Sequence, residues 1–269
     1  LAQLNHPHIP KYLDSGVTAH MTPWVAVTLI EGVSITEWVA SKSHRQVVGQ
    51  MLPILDALSY AHQQLLVHRD IKPNNMMVDE QGESYLLDFG IAKLLTAGIE
   101  ADSTRVHTPE FAAPEQLKGE SISTATDVYG FCGTLFYLLT GVYPSKRTNL
   151  DFSGMESDLA NIVRKGLAVE ASQRYVSMDA LKSDLLAWIE FKPVIATKGA
   201  RWYRFKKWFS RNRIAVSSVL VMAVVILSVL TVIIFQGQKA LKREGFILAQ
   251  NDLLTYILSS PQGSALGRK

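Results

Sequence analysis

The chain has 269 residues, 48% hydrophobic and 19% charged, with a formal net charge of +3. Its one cysteine, Cys132, excludes an internal disulfide. The small net charge hides two opposed parts, since the first 191 residues carry 14 basic and 22 acidic side chains while residues 192–269 carry 13 and two.

In chain order, the first strong pattern runs from Arg45 to Leu66. There Val48, Met51, Leu52, Leu55, Leu58, Ala61 and Leu65 recur at three- and four-residue steps, which predicts an amphipathic helix. This helix leads into His68-Arg69-Asp70-Ile71-Lys72-Pro73-Asn74-Asn75. Met76-Met77-Val78 and Tyr85-Leu86-Leu87 then predict two short strands around the turn Asp79-Glu80-Gln81-Gly82, and Asp88-Phe89-Gly90 follows. Further on comes Thr108-Pro109-Glu110-Phe111-Ala112-Ala113-Pro114-Glu115. Thr126 to Leu139 is almost continuously apolar and predicts a buried helix, with Cys132 packed in the core. Leu181, Leu185 and Trp188 predict a last helix before the composition changes.

That change is abrupt. Lys192 through Arg213 holds eight basic residues and no acidic one, with Trp202, Tyr203, Trp208 and Phe209 among them. Ile214 to Phe235 follows, 22 residues without a charge, and a bilayer needs about twenty. Cations and aromatics directly before such a run suit a membrane interface and attract anionic lipids, at about 1 kcal/mol per charge near the surface. The same position makes nucleic acid a weak alternative partner. The positive-inside rule places residues 1–191 in the cytoplasm and 236–269 outside a single-pass span of the cell membrane. Lys239, Lys242 and Arg243 reduce that asymmetry without reversing it. The outer part is uninformative, although Phe246-Ile247-Leu248 and Leu253 to Leu258 suit the start of a helix.

The chemistry concentrates between His68 and Gly90. Singly, each polar residue there reads equally well as a turn-forming Asp or Asn. As a set they supply a proton acceptor (Asp70), a phosphate-facing cation (Lys72) and two hard oxygen donors for magnesium (Asn75, Asp88). A magnesium nucleotide transferring its terminal phosphoryl group needs such a set, because its loose transition state calls for positioning and charge screening more than covalent help.

These motifs resemble those of Hanks-type serine/threonine protein kinases, in particular the bacterial membrane-anchored kind. The resemblance implies an α+β, protein-kinase-like fold, mostly helical in its large lobe, with one transmembrane helix. In the pattern H-R-D-x-K-x-x-N it makes Asp70 the acceptor of the substrate hydroxyl proton and Lys72 the cation on the transferred group. Asn75 and Asp88 become the Mg2+ ligands and, with Lys72, ATP contacts. Residues 9 to 30 become the last two small-lobe strands, with Thr28-Leu29-Ile30 as the hinge that meets adenine through backbone groups. Met77 would lie under the adenine ring, and His68 and Phe89 would be core spine residues.

The remaining roles are carried over in the same way. Residues between Gly90 and Ala113 would form the activation segment, with Ser103 or Thr104 autophosphorylated and Arg69 receiving the phosphate. Thr108 would approach Asp70 and favour Ser/Thr substrates. Asp127 would bond the backbone of the catalytic loop, and Glu115 would pair with Arg174. Two departures are visible: His107 stands where a Gly usually precedes the Thr, and Glu170-Ala171-Ser172 lacks the usual Pro.

No G-x-G-x-x-G and no V-A-I-K-like strand precede His68, and Lys11 and Lys42 lie in the wrong context to replace the latter. The resemblance puts both upstream of Leu1, so these residues alone are expected to bind ATP poorly. The expected domains are a small-lobe remnant and hinge (1–30), the large lobe (31–191), a basic-aromatic juxtamembrane segment (192–213), the membrane helix (214–235) and an outer stub (236–269). Protein substrates with Ser or Thr are the implied partners, with a homodimer as one possible assembly. A second functional class, a kinase-like membrane adaptor that binds partners without turnover, has no chemical need for Asp70, Lys72, Asn75 and Asp88.

Overall fold

The computed structural model describes residues 4–18, 20, 22–88, 109–144, 150–197, 203 and 213–259. They divide into two compact units, Leu1–Lys207 and Trp208–Lys269.

In the first unit, β1 (Tyr12–Val17) and β2 (Pro23–Val27) form an antiparallel pair. A second sheet, ordered β3-β4-β5, joins Gly32–Ser34, Met76–Asp79 and Ser84–Leu86, all antiparallel. Gly32 is dictated by contact, since a Cβ there would lie 2.1 Å from the Val78 carbonyl oxygen. Strand alternation points Met76 and Val78 into the core and leaves Met77 half-buried on the other face.

Helix α1 (Ile35–Val39) is short; α2 (His44–Gln63) is the long helix expected from the periodicity. Its start is fixed by a capping box in which Ser43 and Gln46 satisfy each other's orphan amides. Val48, Met51, Leu55, Leu58 and Ala61 form its buried face. Its end differs from the sequence pattern. Leu65 belongs to the apolar stripe, yet it is 94% exposed with φ +59°. The chain closes here with a left-handed cap, the Leu66 amide donating to the Ala61 carbonyl, and that geometry turns Leu65 out to solvent.

After β5 and the segment up to residue 108, α3 (Pro114–Lys118) precedes α4 (Thr124–Thr140), α5 (Ser157–Gly166) and α6 (Met178–Ile189). Helix α4 is the buried helix of the apolar run, extended by the Ser123 cap. Cys132 sits wholly inside it, and burial pushes its thiol up to about 12. A Cβ at Gly166 would meet the Cys132 sulfur at 2.1 Å, so α5 crosses α4 at a point where only glycine fits. Leu181, Leu185 and Trp188 of α6 are fully buried. Arg45 at the start of α2 stacks on Trp188 and Phe191 at 4.5 and 4.0 Å, and donates to the Trp188 and Ile189 carbonyls that end α6.

The chain after α6 stays attached to the lobe. Val194 is buried, the amides of Ile195 and Ala196 donate to the Asp184 carboxylate, and the Thr197 hydroxyl donates to Asp158. The packed surface of the lobe therefore continues through the first residues of the basic stretch. In the second unit, α7 (Arg213–Ser259) is one helix of 47 residues, about 70 Å at 1.5 Å per residue. Within it Ser217–Lys239 is long and apolar enough to cross a membrane, and the helix runs on through the Phe246 and Leu253 segments.

Two distant parts of the first unit meet at a buried ion pair. Arg174 Nη1 and Nη2 donate to the two Glu115 oxygens at 2.7 and 2.8 Å, and the guanidinium also donates to the carbonyls of Ala125, Ala168 and Val169. Burial alone would raise the Glu115 carboxyl. The hydrogen bonds from Arg174, its own amide and Thr126 outweigh burial and hold it below the ordinary value. Its stabilising contribution is thus complete above the unfolded pKa of about 4.3 and is lost as pH falls through the lower folded value. We expect Arg174→Met to destabilise the lobe by about 3–5 kcal/mol, because it strands a buried carboxylate. The double variant Glu115→Gln/Arg174→Met should lose less and show a shallower decline below pH 5. Urea unfolding followed by tryptophan fluorescence reads both, and a single-variant loss below about 1 kcal/mol would make the pair no better than a solvated surface bridge.

Candidate active site

The loop from His68 to Asn75 is held by α4 and by the β4–β5 hairpin. Asp127, 1% exposed near the start of α4, accepts the backbone amides of His68 and Arg69, both at 2.8 Å, and a ring nitrogen of His62 at 2.7 Å. Thr134, two turns along α4, donates to the Ile71 carbonyl at 3.3 Å. Gly130 lies between them, and a Cβ there would be 3.3 Å from Ile71 Cβ. Helix α4 is thus a rail along which the loop backbone is pinned.

His68 is wholly buried and joins the loop to the second hairpin strand. Its Nε2 donates to the Leu87 carbonyl at 3.0 Å, which leaves Nδ1 to accept the Asp70 amide at 3.4 Å. This is the neutral tautomer with the proton on Nε2. Burial lowers its pKa, against the raising effects of Asp127, the Leu87 bond, Asp70 and Asp88. Asp70 and Asp88 therefore both lie within electrostatic range of one imidazole ring.

Asn75 closes the loop on itself. Its Nδ2 donates to the Asp70 carbonyl at 2.8 Å, and its own carbonyl accepts the Leu87 amide at 2.8 Å. The first bond occupies the nitrogen of the amide and so sets the direction of the oxygen, the atom a hard cation takes. Asp88 follows Leu87 directly, is exposed, and has φ +52°. Arg69, directly before Asp70, has φ +68°. Left-handed backbone at a residue with a side chain costs of order 1–3 kcal/mol and persists only where the surroundings hold it. Lys72 Nζ lies 2.9 Å from Asp70 Oδ2.

The structure thus brings Asp70, Lys72, Asn75 and His68 together around one loop and sets Asp88 beside it. Glu115 and Arg174 pair with each other, and Thr126 Oγ1 donates to Glu115 Oε1 at 2.8 Å, which joins that anchor to the residue before Asp127. Thr28 extends the β1–β2 pairing by exchanging bonds with Lys11. Ile30 is half-buried in the link to β3, and Met77 faces away from the core between Ser34 and Tyr85. Phe89, Ser103, Thr104 and Thr108 lie outside the described residues.

Three supporting residues had no individual signal in the sequence pattern. His62 and Thr126 are reached only through the folded contacts with Asp127 and Glu115. Gln116 donates Nε2 to the Arg69 carbonyl at 2.8 Å and accepts the Ala113 amide at 3.0 Å. The order Ala113-Pro114-Glu115-Gln116 is a helix start with glutamine at its third position, a capping-box signal that points to the second bond and not to the first. Arg69, Asp70, Phe111, Gln116 and Asp127 all line one small pocket at the mouth of the loop. Among the described residues, no buried side-chain nitrogen or oxygen lacks a hydrogen-bond partner.

A lone carboxylate and an amide oxygen do not enclose a cation, and among the described residues no group of three or more His, Cys, Asp and Glu is placed to do so. That donor set suits magnesium, which keeps waters and completes its shell with substrate phosphates.

Comparison with known proteins matches the family described as Protein kinase domain over residues 1–190. A probable serine/threonine-protein kinase PknB of Bifidobacterium longum is 28% identical over 220 residues, covering 70% of this chain and 32% of that protein. Serine/threonine-protein kinase F of Synechocystis is 37% identical over 147 residues, 50% of this chain and 29% of its own length. The chain spans about a third of the length of the curated relatives it matches. Among solved structures, one titled PpkA-294 apo form superposes with a TM-score of 0.58 at 22% identity, covering 69% of this chain and 70% of that one. With the helical lobe, the hairpin and the pinned loop, these matches establish a protein-kinase fold, and the chain belongs to the protein kinase family, alongside bacterial serine/threonine kinases.

Proposed function

We propose that this chain is the catalytic-lobe portion of a membrane-anchored, ATP-dependent protein serine/threonine kinase acting on cytoplasmic proteins. The observation that supports the reading is the pinned loop: bonds from Asp127 and Asn75 fix the backbone that carries Asp70, Lys72 pairs with Asp70, and left-handed Arg69 and Asp88 flank the set. An adaptor that only binds partners has no chemical need for the four side chains carried there.

In this reading Asp70 orients the substrate hydroxyl and receives its proton, which leaves late from a loose transition state. Lys72, already 2.9 Å from the Asp70 carboxylate, keeps that carboxylate in place and offers a cation to the transferred group. Asn75 and Asp88 are the residues that would hold Mg2+, and the bound ion would neutralise the nucleotide phosphates. Thr28, Ile30 and Met77 are proposed to meet the adenine end. The activation segment, with Ser103, Thr104 and Thr108, is proposed as the docking and phosphorylation region. Helix α7 anchors the protein through Ser217–Lys239. The basic run before it favours a cytoplasmic lobe, an outer C-terminus and contact with anionic lipids.

Radiolabelled-phosphate transfer by the full-length protein tests the chemistry. Asp70→Asn should reduce incorporation by about 10²- to 10⁴-fold, the usual worth of a positioned proton acceptor. Chelating the divalent metal should abolish transfer in the wild type and leave folding intact. Equal incorporation by wild type and variant would favour the adaptor. Topology has its own test. In right-side-out membrane vesicles, externally added protease should trim residues beyond Lys239 and spare the lobe; the reverse cleavage pattern would invert the assigned orientation.

A further inference from the structure

Gln116 makes a connection that the phosphoryl-transfer reading does not require, and it joins two parts of the site 47 positions apart. It stands third in α3, immediately after the Glu115 that is anchored on Arg174. Its oxygen faces a backbone donor, the Ala113 amide, and its nitrogen faces a backbone acceptor, the Arg69 carbonyl. An ionised carboxylate offers only acceptors and an ammonium only donors, so a neutral amide is what this place calls for.

The carbonyl it holds is a particular one. The Arg69 carbonyl and the Asp70 amide are the two ends of one planar peptide unit. Gln116 takes the oxygen, and His68 Nδ1 takes the N–H at 3.4 Å. The preceding peptide is already fixed, because Asp127 accepts the Arg69 amide. Arg69 itself is left-handed, a conformation that relaxes once its neighbours let go. The direction of the Asp70 side chain follows from this peptide, and the shorter of the two bonds that hold it comes from α3.

We propose that Gln116 is a positioning residue that couples the docking of α3, at the end of the activation segment, to the aim of Asp70. When α3 sits on its Arg174 anchor, Gln116 reaches the Arg69–Asp70 peptide and holds it. When α3 lifts, that grip is released and the strained peptide keeps only the long bond from its N–H to His68. The inference rests on the kinase reading for its catalytic consequence and on the structure alone for the grip.

Two substitutions in the full-length protein test it. Gln116→Glu keeps the acceptor for Ala113 and loses the donor to Arg69; Gln116→Met keeps the shape and loses both. Misplacing a reacting group costs up to about a hundredfold, so at pH 8 both should lower kcat by about ten- to a hundredfold with the KM for ATP unchanged. Lowering the pH to 6 should recover part of the Gln116→Glu activity, because the introduced carboxyl, facing a carbonyl, donates once protonated. Gln116→Met should stay flat relative to wild type. Amide hydrogen exchange over residues 68–72 should be faster in both variants at pH 8, whether or not the protein transfers phosphate. Wild-type kcat in both variants, a Gln116→Glu deficit independent of pH, or unchanged exchange in that segment would overturn the proposal. A wild-type protein that transfers no phosphate sinks the kinase reading alone, and the exchange comparison still decides whether Gln116 grips the loop.

Discussion

The site depends on one buried carboxylate. Asp127 takes two consecutive backbone amides and a histidine N–H, which together satisfy a carboxylate that is almost wholly buried. A buried amide without an acceptor costs about 1–3 kcal/mol, and an unpaired buried carboxylate costs more. The loop and α4 thus satisfy each other or fail together. Because the two amides flank the turn into Arg69, the same bonds that satisfy Asp127 also hold the left-handed residue before Asp70. The stability of the lobe and the geometry of the loop rest on the same set of contacts here.

From that point the network spreads along two pairs of neighbours. In α4, Asp127 holds the loop while Thr126 bonds Glu115; in α3, Glu115 pairs with Arg174 while Gln116 holds the Arg69 carbonyl. Residues next to each other in sequence therefore face different partners, and three of these contacts close into a ring through two helix starts, with Arg174 tied to it at Glu115. Such a ring transmits displacement well, since moving α3 disturbs its bonds to the loop, to α4 and to Arg174 together.

The parts legible in the sequence were those with a local signature. Helix α2 showed its period, the β4–β5 hairpin its two short apolar runs around a turn, and the first half of α7 its unbroken apolar run. Asp127, Glu115 and Arg174 were reached through the family resemblance, since nothing near Asp127 in sequence announces a partner 59 positions away. Gln116 was missed because its partners are backbone groups, which leave no side-chain pattern to match. Leu65 misled in the opposite direction, because an apolar residue on the helical stripe was turned outward by the left-handed cap. The residues after Lys192 read as charged and interfacial, while Val194 to Thr197 dock on the lobe through two aspartates. Composition records the charges of a segment and not the amides it presents.

Cys132 gives the lobe a built-in reporter. Its thiol is enclosed where α5 presses Gly166 against it, and it is kept protonated at physiological pH. Alkylating reagents can reach it only after α4 and α5 separate, so the modification rate of this single sulfur measures how often the core breathes. Cysteines introduced elsewhere for spectroscopic labels would be modified selectively, with the native one silent until the core opens.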